Sequence, residues 1–97
     1  MPAFVLLMNL TAQGAADPKG IPARCAEGIQ GFEAMGGKVI TFHATMGPYD
    51  YVAVGEAPSD EVAAGFALAL AAKGHVTTTS MRAFSVEEIG AIVSRLP

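Results

Sequence analysis

The 97-residue chain contains no tryptophan, one cysteine and two histidines, and charged side chains make up only 15% of it. Each shortage excludes something. A single thiol, Cys25, leaves no internal disulfide and fits a reducing compartment, so cytoplasmic residence is the expectation. The six Lys and Arg residues are scattered singly and the net charge is −3. No nucleic-acid partner is expected, because phosphate neutralisation needs clustered cations. No apolar run is long enough for a membrane-crossing helix, and Phe4 to Met8 is too short for the core of a signal peptide. Two histidines with no ligand-like spacing give no reason to expect a metal, and no phosphate-binding or nucleophile motif calls for a cofactor.

What the chain has in excess is apolar surface. Hydrophobic residues are 52% of the total, and about 25% charge is usual where this chain has 15%. A single domain over residues 1–97 has room for one core. The surplus predicts that a second face is buried, most simply against another copy.

Ala3 to Thr11 is a continuous apolar run and reads as a central strand buried on both faces. Thr11 to Gly14 reads as a loop, and Asp17-Pro18 as a turn or helix start. Ile21, Cys25, Ile29, Phe32 and Met35 recur at helical spacing, and Gly36-Gly37 ends that helix. Lys38 to Met46 alternates. Its greasier set, Ile40, Phe42, Ala44 and Met46, is expected under the helices, with Val39, Thr41, His43 and Thr45 on the other side.

Gly47-Pro48 makes a turn into a strand from Tyr49 to Glu56. An even loop places Met46 with Tyr49 and Tyr51, and His43 with Asp50, Val52 and Val54; an odd loop or a bulge reverses this. Ser59 caps a helix that runs to Lys73 and ends at Gly74. His75 to Phe84 is rich in threonine and reads as a fourth strand. Ser85 and Glu88 fit a capping box that opens a short final helix, whose apolar face is Val86, Ile89, Ile92, Val93 and Leu96. The order predicts an α+β fold: a ferredoxin-like β-α-β-β-α-β sandwich, with a four-stranded antiparallel sheet and an extra C-terminal helix. Helices cover one sheet face. The bare face, carrying Val39, Val52, Val54, His43 and the threonines, calls for a second copy.

The turn Gly47-Pro48-Tyr49-Asp50 resembles the signature of the GYD domain family. So do Asn9, Thr11, Gln13 and Gly14, the Gly36-Gly37-Lys38-Val39 entry to the second strand, the Glu56-Ala57-Pro58 exit and Arg82-Ala83-Phe84. The resemblance implies a dimeric α+β barrel type of protein and no particular activity.

Three functional readings follow. The first is a self-associating protein that holds a small, largely apolar molecule between two sheets, with Asn9, Thr41, Tyr49, Tyr51 and Arg82 as candidate ligand contacts. The second is a cofactor-independent oxygenase, isomerase or decarboxylase in that cavity, with His43 as general base and Asp50 orienting it. The third is a structural or regulatory interaction module. Plainer roles compete at each position. Asp50 beside a turn fixes backbone N–H groups, tyrosines pack rings on helices, Arg82 makes an ion pair, and Cys25 is an inert thiol.

Overall fold

The computed structural model describes residues 1–97. Strand β1 (Ala3–Leu10) leads into a one-turn helix α1 (Ala12–Ala15) and a 3-10 turn at Pro18–Gly20. Helix α2 (Ile21–Ala34), strands β2 (Lys38–Ala44) and β3 (Tyr51–Glu56), helix α3 (Asp60–Lys73), strand β4 (Val76–Ala83) and helix α4 (Val86–Val93) follow. The four strands form one antiparallel sheet in the order β2-β3-β1-β4, which is the ferredoxin-like arrangement.

Where a loop was expected over residues 11–14, Ala12–Ala15 form one helical turn with Thr11 as its extended N-cap. The Thr11 side chain accepts the Gly14 N–H at 3.1 Å and donates to the Gly74 carbonyl at 2.6 Å. It thus caps α1 and ties that turn to the end of α3. Gly14 is buried there because a Cβ would collide with the His75 carbonyl.

The continuous apolar run of β1 splits into two functions. Phe4, Leu6 and Met8 are buried under the helices with Phe32, Tyr51, Ala57 and Ala63. Val5 and Leu7 point to the open face, opposite Val54 and Val52 of β3 and Met81 and Thr79 of β4. The central hairpin has the even register: Ala44 pairs with Tyr51 and His43 with Val52. A bulge at Ile40 changes the outer end of β2, however. Val39 pairs with Gly55 and packs on the core, whereas Ile40 is exposed, reversing the faces expected for both. Strict alternation fails because one extra residue is taken up between Val39 and Thr41. Met46 lies beyond the strand in the turn and is 100% exposed, so it does not join the tyrosines.

Helix α2 lies over β2 and α3 over β4. Phe32 of α2 meets Phe66 of α3 with ring centres 4.9 Å apart, and a cleft stays open between the two helices and the sheet. Beyond them α4 projects from the body. Its capping box is complete: Ser85 Oγ accepts the Glu88 N–H at 3.1 Å, and Glu88 Oε1 accepts the Ser85 N–H at 3.0 Å. All of residues 85–97 are exposed. The radius of gyration is 14.8 Å and the longest extent 52 Å, against roughly 13 Å for a compact domain of this length. No helix is long and apolar enough to cross a membrane.

Candidate functional site

Three regions carry the polar and reactive side chains. The first surrounds the Gly-Pro-Tyr-Asp turn. The ladder between β1 and β3 ends at Met8 and Tyr51, so the Leu10 N–H on that side has no strand partner. Asp50 supplies one: its Oδ2 accepts the Leu10 N–H at 2.8 Å. The Asp50 N–H in turn donates to the Met8 carbonyl at 2.9 Å and to Asn9 Oδ1 at 3.2 Å. Across the turn Thr45 N–H reaches the Asp50 carbonyl at 2.8 Å, and Thr45 Oγ1 donates to the Tyr49 carbonyl at 2.6 Å. Asn9, Thr45, Tyr49 and Asp50 are thus brought together in a clamp that fastens the hairpin to the central strand.

The second region is the open face of the sheet. Val5, Leu7, Val52 and Val54 form an apolar centre, half-buried in the single chain. Thr41 and His43 are exposed on its outer strand β2, and Thr77 and Thr79 on the opposite edge strand β4. No hydrogen bond or ion pair joins His43 to Asp50, whose carboxylate is engaged by Leu10. His43 is thus open to solvent in the chain.

The third region, which sequence reasoning did not foresee, is a cleft between α2, α3 and the helix side of the sheet. It has room of about 120 Å³ and is lined mainly by apolar side chains. Leu6, Met8 and Tyr51 form its floor, Cys25 and Gly28 stand on α2, and Phe66 and Leu70 on α3. Tyr51 is 6% exposed with its ring 5.6 Å from that of Phe42, so it packs on the helix side and is separated from His43. Burial pushes the Cys25 thiol up, opposed by the Arg24 guanidinium and the Tyr51 hydroxyl beside it. Burial also pushes the Tyr51 phenol up, and the neighbouring thiol adds to this. Both groups are neutral at pH 7. The sequence signal for this cleft is Gly28, a glycine inside α2 whose cleft side is open space.

Arg82 belongs to none of these regions. It faces the helix side at the far end of β4, 3.5 Å from Asp60 and 5.9 and 5.3 Å from the ring centres of Phe4 and Phe84. The five candidate ligand contacts therefore do not converge: Asn9 and Tyr49 sit in the clamp, Thr41 on the open face, Tyr51 in the cleft and Arg82 in an ion pair.

A four-stranded antiparallel sheet with helices on one face, fastened through the tyrosine-aspartate turn, defines a ferredoxin-like α+β protein. The sequence model of the GYD domain matches residues 4–93, and the chain belongs to that family. It is also similar to a "Glutamine synthetase and cystathionine beta-lyase binding protein" of Thermus thermophilus. The two are 37% identical over 90 residues, 92% of this chain and 95% of the relative.

Proposed function

We propose that this chain is a protein-binding module that pairs with itself across the open sheet face and uses α4 to complete its contacts. The observation that carries the reading is the amount of apolar surface left uncovered in two separate places. On the sheet it is Val5, Leu7, Val52 and Val54. On α4, Val86 is 80% exposed, with Ile89, Ile92 and Val93 also exposed, and Leu96 just beyond the helix is 66% exposed. An exposed helix with this periodicity gains little from standing alone in water.

Size argues that both surfaces are used. Four strands about 4.8 Å apart and about seven residues long at roughly 3.3 Å each present roughly 450 Å² of sheet. A standard interface buries about 800 Å² on each partner. The exposed side of α4 adds further apolar surface to that of the sheet. The relative's name supplies the kind of partner: glutamine synthetase and cystathionine beta-lyase are the enzymes to try first. A cavity holding a small apolar molecule, with Thr41 and His43 at its edge, would form only between two paired sheets.

The test is light scattering on the purified protein, followed by direct binding to purified glutamine synthetase and cystathionine beta-lyase from the same organism. The expected result is a dimer or larger assembly that binds at least one enzyme. Ile89→Asp with Ile92→Asp, on the exposed helix, should weaken assembly or enzyme binding while leaving the far-UV spectrum of the sheet intact. A monomer that binds neither enzyme overturns the proposal.

A further inference from the structure

We propose that the cleft between α2 and α3 is a binding site for a small amphipathic anion: a single ring, or a compact hydrocarbon group of similar size, bearing a carboxylate. The site lies on the opposite side of the sheet from the face used in the protein-binding reading, and the two stand or fall separately.

Volume sets the apolar part. Protein interiors are close-packed, with few voids larger than a water molecule. Here about 120 Å³ lies open over Leu6, Met8 and Tyr51. An apolar cavity of roughly 150 Å³ stays dry and takes up benzene, so the room in this cleft matches one ring and not a long acyl chain. Nor is the space an accident of one missing atom. Gly28 faces the cleft from the middle of α2, and a Cβ added there would meet nothing within 4 Å. A helix-interior glycine is unfavourable relative to alanine, and no close contact in the chain requires this one. It leaves open space on the cleft side of α2.

Charge sets the polar part. Two cations, Arg24 and Lys73, line the cleft against one carboxylate, Glu27. Arg24 Nη2 donates to the carbonyls of Gly14 at 2.8 Å and Asp17 at 3.1 Å. Those neutral partners hold the guanidinium in place without cancelling its charge. The one ion pair in the chain, Arg82 with Asp60, is elsewhere, so neither Arg24 nor Lys73 has a carboxylate partner. An apolar pocket with unpaired cations beside it is complementary to an apolar body with an anionic head.

The experiment is an amide-shift titration of the wild-type protein by two-dimensional NMR, with phenylacetate, benzyl alcohol and acetate as probes. Phenylacetate is expected to give saturable shifts on α2 around Gly28 and on α3 around Phe66 and Leu70. Benzyl alcohol should bind at the same place several-fold more weakly, and acetate should shift neither helix. Lys73→Gln should weaken phenylacetate several-fold and leave benzyl alcohol unchanged. Gly28→Leu fills the opening and should abolish both; Cys25→Leu gives the same blockade from one turn earlier if Gly28→Leu does not fold. Absence of saturable shifts with phenylacetate in the wild type overturns the site. Equal affinity for phenylacetate and benzyl alcohol overturns the recognition of the anionic head.

Discussion

Gly37→Ala tests how the core is built, because its cost depends on a single ring. A Cβ at Gly37 would lie 2.5 Å from Phe32 Cε2 and 2.7 Å from both Cδ2 and Cζ. Phe32 is 5% exposed and has little space to yield. On another side, a Cβ at Gly55 would already be 3.0 Å from the same Cε2, and the Phe66 ring centre is 4.9 Å away. Overpacking of this kind costs about 1–3 kcal/mol, a large share of the roughly 5–15 kcal/mol that holds a domain of this size folded. Phe32→Leu removes the ring atoms in conflict. Most of the Gly37→Ala penalty should then disappear, leaving a coupling of about 1–2 kcal/mol between the two changes. With no tryptophan in the chain, urea unfolding followed by far-UV circular dichroism is the assay, on wild type, both single variants and the double variant. Penalties that add to within about 0.5 kcal/mol would refute the reasoning, since the alanine would then be colliding with something other than Phe32.

Two further predictions concern the polar groups. Asp50→Ala should destabilise the chain by about 1–3 kcal/mol, the cost of leaving a partly buried N–H unpaired, and should speed hydrogen exchange at Leu10. Unchanged exchange at Leu10 would mean that the clamp does not hold the strand end. Cys25 and Tyr51 both bind their protons more tightly folded than unfolded, because burial opposes the thiolate and the phenolate. Their contribution to stability is therefore present at neutral pH and is lost as pH rises through the ordinary thiol and phenol range toward the raised values. The urea midpoint should fall between about pH 8 and pH 11, and the fall should be shallower in Cys25→Ala with Tyr51→Phe. An equally steep fall in that double variant would assign the effect to other groups.

Element order was legible in the sequence because each boundary has a local cause. Ser59 accepts the Val62 N–H, Ser85 and Glu88 exchange their two bonds, and Gly36 and Gly74 adopt φ of +89° and +79° at helix ends. None of these depends on distant contacts. The errors fall where a distant contact decides. The turn Ala12–Ala15, expected as a loop, is held by Thr11, which caps it and donates its hydroxyl to the Gly74 carbonyl 63 residues away. Val39 and Ile40 change faces because β2 accommodates its neighbour β3 through a bulge, and nothing in a run of alternating residues marks where the extra one will sit.

The same distinction explains why the candidate residues scattered. Alternation along β2 and β3 left two registers, of which the structure has the one that puts His43 on the face of Val52, but it cannot show that Asp50 turns its carboxylate to Leu10, 40 residues back in the chain. The turn that makes the family recognisable is thereby explained as architecture. Tyr51 fills the floor under the helices, Asp50 closes the end of the central strand, and Thr45 and Asn9 hold the loop between them. The surfaces on which function can vary are then the ones the clamp leaves free: the open sheet face, the projecting α4, and the cleft beside Gly28.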